Sequence, residues 1–246
     1  MKEVRYFYVP EAEMADVLPD EEAQHAIRVL RLDVGDTIFL MDGKGAFHQA
    51  EITFISNHKC QYRITESLQQ EKSWRGHLCV AMAPTKMLER TEWFVEKATE
   101  IGVDEFAFLD CKFSERRVLK LPRIEKICVA AVKQSRKPWM PTMNEMVDFN
   151  HFVTALRKGQ KFIAHCYNEI DRDDLFSLLT KPFSTLGIET DDDCTILIGP
   201  EGDFSIDEVR LAVDNGWRSV SLGDSRLRTE TAAIVAAEMM QIARRK

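Results

Sequence analysis

No apolar run among the 246 residues approaches membrane-spanning length. The opening Met1-Lys2-Glu3-Val4-Arg5 also lacks the apolar stretch of a secretory signal. Both absences argue against a membrane or exported protein and lead us to expect a cytoplasmic one. There is no Cys-x-x-Cys pair. The six cysteines (Cys60, Cys79, Cys111, Cys128, Cys166 and Cys194) are scattered, mostly within apolar runs, and read as free, buried thiols of a reducing compartment rather than as disulfides or a metal site. His165 beside Cys166 is the nearest approach to a ligand pair, and no metal is expected. A P-loop is missing too, because Asp42-Gly43-Lys44-Gly45 has neither the spacing nor the Lys-Ser/Thr ending of one. No internal repeat or low-complexity segment appears.

The length suits one large domain or two modest ones, and 45% hydrophobic with 30% charged residues is the balance of an ordinary soluble protein. A net charge of -7 argues against indiscriminate binding to nucleic acid, since such affinity comes from neutralising phosphates. The distribution of charge says more than its sum. Arg116, Arg117, Lys120, Arg123, Lys126, Lys133, Arg136 and Lys137 face a single acid, Glu125, within their stretch. Such a stripe is either a localised face for RNA or the solvated side of a helix. Acids gather at Asp171 to Asp174 and Asp191 to Asp193, which read as solvated turns.

Short strands come first. Arg5 to Val9 is a strand-like run stopped by Pro10, and Glu21 to Leu30 reads as a short helix carrying His25, Arg28 and, just beyond it, Arg31. Thr37 to Met41, the Asp42-Gly43 turn and Ala46 to Thr53 form a hairpin, and Lys59 to Thr65 adds another strand. This unit is a small β-barrel. The polar, aperiodic Leu68 to Lys72 marks a boundary, giving domains 1–70 and 71–246.

Beyond it, strands and helices alternate. Strands are expected at His77–Ala83, Glu105–Leu109, Lys161–Cys166, Cys194–Ile198 and Ser219–Leu222. Helices are expected at Met87–Ile101, stopped by Gly102, at Leu121–Gln134, from a Ser205-to-Glu208 capping box to near Gly216, and at Thr231–Arg244. The alternation implies a mostly parallel sheet covered on both faces, unknotted by ordinary connection rules. Two strands end in Gly-bearing polar loops, Gly199-Pro200-Glu201-Gly202 and Gly223-Asp224-Ser225-Arg226, the second running into a helix N-terminus. Such loops present backbone groups where parallel sheets bind ligands, so this pair is the candidate active site.

These two stretches carry a resemblance. Ile198-Gly199-Pro200-Glu201-Gly202 with Phe204-Ser205, and Leu222-Gly223 with Leu227-Arg228-Thr229-Glu230-Thr231-Ala232-Ala233, resemble the ribosomal RNA small subunit methyltransferase E family of the knotted SPOUT superfamily. Weaker matches lie at Lys97 to Val103, at Gln134-Ser135, and at His25, Arg28 to Leu32 and Val34-Gly35-Asp36, so the likeness spans nearly the whole chain. It implies an α/β protein with an N-terminal PUA-like RNA-binding β-barrel and a C-terminal SPOUT domain whose last segment is threaded into a deep trefoil knot.

The resemblance also implies function: transfer of a methyl group from S-adenosyl-L-methionine to N3 of a uridine in the decoding region of small-subunit (16S) ribosomal RNA. The substrate would be an assembled or nearly assembled 30S subunit and the enzyme a homodimer, with Met239, Met240 and the Ala-rich side of the last helix as interface candidates. Matching motifs assign cofactor binding to Leu197, Ile198, Gly199, Glu201, Gly202, Leu222, Gly223, Leu227 and Thr229. Uridine N3 bears a proton, so a positive charge and a base are expected: Arg228 for the first, Glu201 or Glu230 for the second. Arg5, His25, Arg28, Arg31, Arg116, Arg117, Lys120, Arg123 and Arg226 are the RNA-contact candidates. The chain departs from the pattern at Asp203, where a second Gly is usual, and at Ser225-Arg226, where Arg and an aliphatic residue are common. Another RNA nucleotide as target, or a non-catalytic RNA-binding assembly factor, are the competing readings.

Overall fold

The computed structural model describes residues 5–181 and 192–246. Residues 1–4, read above for a signal, and Asp191 of the acidic triplet lie outside the described residues. The chain forms two compact units. The first runs to Lys72 and includes Val129–Met140; the second comprises Ser73–Cys128 and Pro141 to the C-terminus.

The first unit is built on a sheet of β1 (Tyr6–Tyr8), β2 (Thr37–Met41), β3 (Ala46–Ile55) and β4 (Cys60–Gln69) in that order. β1 is parallel to β2, and the other pairs are antiparallel. Alternation along β3 turns Ala46, His48, Ala50 and Ile52 inward, where Ala50 and Ile52 join Phe7, Ile38, Leu40 and Tyr62 in one core. At the β2–β3 turn, Asp42 Oδ1 accepts from the backbone N–H groups of Lys44, Gly45 and Ala46 at 2.7, 3.0 and 2.9 Å, which is why Asp serves there. The expected helix at Glu21–Leu30 is split into α1 (Asp20–Gln24) and a π-turn at His25–Val29.

β4 runs further than its apolar pattern, so Leu68 and Gln69, read as boundary, pair with Phe47 and Ala46. An exposed strand end is held by backbone bonds that leave no mark in side-chain hydrophobicity. Residues 129–140 were not read as part of this unit at all. Their attachment is specific: Gly45 N–H donates to Pro138 O at 2.9 Å, and Lys133 Nζ sits 2.7 Å from both carboxylate oxygens of Glu22.

The second unit holds a sheet whose pairings are all parallel. Its strands are β5 (Leu78–Met82), β6 (Glu105–Asp110), β7 (Thr142–Met143), β8 (Val147–Asp148), β9 (Gln160–Ala164), β10 (Asp173–Asp174), β11 (Cys194–Ile198) and β12 (Arg218–Ser221). Their order is β10-β12-β9-β11-β5-β6-β7, with β8 also on β6. Central β5 and β11 are buried along their whole length, as apolar runs sandwiched between layers should be. The helices are α2 (Leu88–Ile101), α3 (Leu121–Ser135, whose residues from Val129 belong with the first unit), α4 (Phe149–Thr154), α5 (Leu175–Thr180), α6 (Ile206–Asp214) and α7 (Thr229–Arg244). The Ser205–Glu208 capping box forms at α6, and α2 stops at Gly102, whose N–H bonds Ala98 O.

Several short elements escaped the sequence reading: β7, β8, β10, α4 and α5. None is long enough to show a period, and two residues of parallel pairing leave no pattern. Asp173 and Asp174, read as a solvated turn, instead pair with Val220 and Ser221, and Asp174 caps α5 by accepting from Ser177 N–H. Asp148 caps α4 in the same way. In α7, Ala233, Ala236, Ala237 and Met240 are fully buried, and the helix packs on α2, β5 and β11. Met240, Ala233, Ala236 and Ala237 are therefore core rather than interface, whereas Ala232, Ile234, Val235 and Met239 are partly exposed. All six cysteines are free thiols, five of them buried. Among the described residues no helix is long and apolar enough to cross a membrane.

At the opposite edge of the sheet from the candidate loops, Glu105 is held by His77 Nε2 at 3.0 Å and Arg157 Nη2 at 2.6 Å. Burial opposes ionisation of Glu105, but the hydrogen bonds and charges of His77 and Arg157 outweigh it and hold its pKa at about 2. The bond to Glu105 in turn lifts the His77 pKa above the usual imidazole value. A group whose pKa is higher when folded stabilises fully below its unfolded pKa, about 6.5, and that contribution is lost as pH rises through the folded value. The stability advantage of the natural chain over His77→Gln, measured by urea unfolding, should be larger at about pH 5.5 than at about pH 8.5. Equal advantages would show that His77 does not bind its proton more tightly in the fold.

Candidate functional site

Neighbouring strands β12, β9 and β11 end at one edge of the sheet. The loops that follow them, with the first turn of α7 and Arg90 of α2, line a cavity of ≈ 970 Å³. Ligands of open parallel sheets bind at such C-terminal strand ends.

Each loop is held by its own chemistry. After β11 the backbone folds tightly at Gly199: a Cβ there would lie 3.0 Å from Phe204 N and 3.1 Å from the Phe204 ring, so a larger side chain forces the loop open. Asp203, the departure noted above, adopts a left-handed φ of 67°. That conformation explains why glycine suits the position, and Asp tolerates it better than most residues. Its carboxylate compensates by accepting from Cys166 N–H (2.8 Å) and Phe204 N–H (2.7 Å), which ties the β9 loop to the β11 loop. Tyr167 OH donates to Phe204 O at 2.8 Å, and Arg172 Nη1 donates to His165 O at 2.8 Å. After β12 the chain turns at Gly223, φ 116°, where Ser221 Oγ accepts from Gly223 N–H and donates to Gly223 O.

His165 lines the cavity and is 95% buried, being only 5% exposed. Burial pushes its pKa down, and Nδ1 accepts from Tyr167 N–H, so the neutral ring carries its proton on Nε2. That Nε2 is buried and has no partner among the described residues.

The structure brings together Ile198, Gly199, Glu201, Leu222, Gly223, Arg226, Leu227, Arg228 and Thr229, all on the cavity wall. Three candidates stand apart. Strand alternation sends Leu197 into the core with Phe204 and Trp217. Gly202 lies against Phe113 rather than on the cavity wall. Glu230 is buried behind the wall, with Oε1 3.6 Å from Arg90 Nε and Oε2 unpartnered. Glu201 is on the wall, but its Oε1 accepts from Lys86 N–H at 2.8 Å, which fastens this loop to the segment after β5. Arg90, Arg172 and the tie made by Asp203 were not found from the sequence. An arginine in an amphipathic helix looks like any solvated charge, although the unusual Asp203 was visible as a departure.

The basic stripe is largely spent on internal contacts. Arg116 donates to Thr85 O (3.0 Å) and Lys86 O (2.7 Å), Arg117 pairs with Asp110, and Arg123 pairs with Glu92. Lys133 pairs with Glu22, and Arg136 lies 5.4 Å from the centroid of the Tyr6 ring. The neutralising acids Asp110, Glu92 and Glu22 all lie outside the stripe, the last two far from it in sequence, so a stripe that counts only Glu125 overstates its charge. Of the barrel candidates, His25, Arg28 and Arg31 are exposed and Arg5 is half-buried.

The model of an RNA methyltransferase domain matches residues 71–241, and that of an RNA methyltransferase PUA domain matches residues 18–65. A solved structure from Porphyromonas gingivalis, described as a probable rRNA-methyltransferase, is 38% identical, with 98% of each chain covered and a TM-score of 0.87. A Legionella pneumophila structure described as a methyltransferase, in complex with the bound cofactor SAM, is 26% identical, with 98% of each chain covered and a TM-score of 0.84. A ribosomal RNA small subunit methyltransferase E of Rickettsia conorii is 26% identical over 92% of this chain and 89% of its own length. The motifs meeting at one sheet edge, the PUA-like first unit and these matches lead to one conclusion: the chain belongs to the ribosomal RNA small subunit methyltransferase E family of RNA methyltransferases.

Proposed function

We propose that the cavity binds S-adenosyl-L-methionine and that the chain methylates N3 of a uridine in the decoding region of small-subunit ribosomal RNA. The observation that carries this reading is the convergence of three loops, distant in sequence, on one cavity. The residues fit the cofactor. The volume suits a small-molecule site, Ile198, Leu222 and Leu227 offer apolar wall, and the buried Nε2–H of His165 is a donor left for a ligand. Ile198 to Glu201, Leu222-Gly223 and Leu227 with Thr229 would hold it, the glycines admitting close backbone contact. When bound, it supplies an activated methyl group.

The chain's own part is alignment and charge. Arg228, exposed at the cavity mouth before α7, stabilises negative charge developing on the uracil oxygens as the N3 proton leaves. Glu201, on the cavity wall and oriented by Lys86 N–H, is the base of this reading. Arg226 and the exposed His25, Arg28 and Arg31, with Arg5 and Lys120, are assigned to RNA; Arg116, Arg117 and Arg123 are assigned to the fold. The same reading includes the trefoil knot, a homodimer, an assembled or nearly assembled 30S subunit as substrate, and a cytoplasmic site of action. The sheet order supports the knot: β11 and β12 flank β9, and α7 returns to pack on α2 and β5.

The deciding experiment is methyl transfer from labelled cofactor to small ribosomal subunits purified from a strain lacking this gene, followed by mass spectrometry of the nucleosides. N3-methyluridine at one decoding-region position is expected; another methylated nucleoside would change the target. Cofactor binding without transfer to these subunits would point to a different RNA. No binding at all would favour an assembly factor. Gly199→Val should abolish calorimetric cofactor binding while leaving the circular dichroism spectrum unchanged, and an unaltered affinity would remove this loop from the site. Arg28→Glu with Arg31→Glu should weaken RNA binding and flatten its salt dependence by about one unit of slope or more. Arg116→Ala should instead lower stability by about 1–2 kcal/mol through two lost backbone contacts, with the salt slope intact.

A further inference from the structure

We infer that Arg90 is a third RNA-facing guanidinium of the active site and that Glu230 is its positioning partner rather than the base. The inference rests on the proposed function and assigns a residue outside every motif discussed so far. Arg90 lies in the first turn of α2, and its side chain reaches the cavity formed by the three loops.

Its Nε lies 3.6 Å from Glu230 Oε1, and Glu230 is 92% buried, being 8% exposed, at the second residue of α7. A buried carboxylate is costly unless an opposite charge accompanies it. Arg90 is the cation that accompanies this one, and the pairing anchors its guanidinium at the Nε edge. The two Nη groups donate no hydrogen bond among the described residues, which leaves donors suited to an anionic oxygen. The other arginine deep in the site differs: Arg172 is consumed by His165 O and Asn168 Oδ1.

Charge decides which ligand Arg90 faces. S-adenosyl-L-methionine carries a sulfonium and an ammonium against one carboxylate, so its net charge is positive. Arg226 and Arg228, which no acid matches among the described residues, repel such a cofactor overall and attract RNA, and Arg90, its charge balanced by Glu230, adds guanidinium N–H donors to the same cavity wall. Arg90 therefore binds an anionic oxygen of the acceptor strand, either the uracil oxygen that gains charge as N3 loses its proton or the phosphate beside it.

The test uses the full chain with Arg90→Gln, Arg90→Lys, Glu230→Gln and the double variant Arg90→Gln/Glu230→Gln. Three quantities are measured: calorimetric cofactor affinity, binding to gene-deleted small ribosomal subunits across a salt series, and the pH profile of single-turnover methyl transfer. Arg90→Gln is expected to keep cofactor affinity within about twofold and to slow transfer by about 100-fold. A salt slope smaller by about one assigns Arg90 to a phosphate. A pH profile displaced to higher pH with the slope unchanged assigns it to the uracil oxygen. Glu230→Gln should produce the same displacement, more weakly, and the double variant should be no worse than Arg90→Gln alone, because the two act as one unit. Arg90→Lys, which keeps the charge and the helix, should recover part of the rate and guards against a folding defect.

A tenfold loss of cofactor affinity in Arg90→Gln would overturn the inference by turning Arg90 toward the cofactor. So would multiplicative effects in the double variant, which would make Glu230 an independent base, or Arg90→Gln matching the natural chain in all three measurements. If the natural chain binds cofactor and these subunits but transfers no methyl group, the proposed reaction fails while the salt series still judges Arg90. An absence of binding to these subunits overturns the inference itself.

Discussion

The site depends on β11 being clamped between β5 and β9. All five residues of Cys194–Ile198 pair in parallel register on both sides, and all five are buried. Burying apolar side chains on both faces stabilises the strand, and the double ladder pins its end. Ile198 therefore ends level with Ala164 and Met82, its partners on either side, and Gly199 begins its turn where the β9 loop also departs. A slip of one residue would exchange Leu197 for Ile198 on the cavity side and turn every side chain of the strand over.

From that fixed edge the loops are set by a few polar ties. Asp203 spends both carboxylate oxygens on backbone N–H groups, one in the next strand's loop, and so holds a conformation that glycine would reach without help. Tyr167, Arg172 and Glu201 add bonds from side chain to backbone. These bonds pre-arrange the cavity, which lowers the ordering cost of binding a ligand. The same logic runs through the charges. An overall acidic chain places Arg226 and Arg228 on the cavity wall while Arg117, Arg123 and Lys133 pair with acids outside their own basic stretch.

Much of this was written in the sequence. Element type followed from local signals: the buried-strand runs at 78–82 and 194–198, the Ser205–Glu208 cap, and the long helices ending at Gly102 and Arg244. The two glycine motifs located the cavity, because backbone approach and a positive φ at Gly223 leave a residue-level trace. What escaped were elements of two to six residues, too short to show a period, and the assignment of residues 129–140 to the first unit, which rests on contacts distant in sequence.

Tertiary structure alone decided the roles of individual charges. Arg116 and Arg90 look alike in a sequence. One is spent on two backbone carbonyls and the other faces the cavity with Glu230 behind it. Composition and motif determined the kind of fold and the family, since those depend on periodicity, turn chemistry and short contiguous patterns. The partner of a given side chain depends on which strands neighbour one another in space, and electrostatic pairing acts over a few ångströms irrespective of separation along the chain.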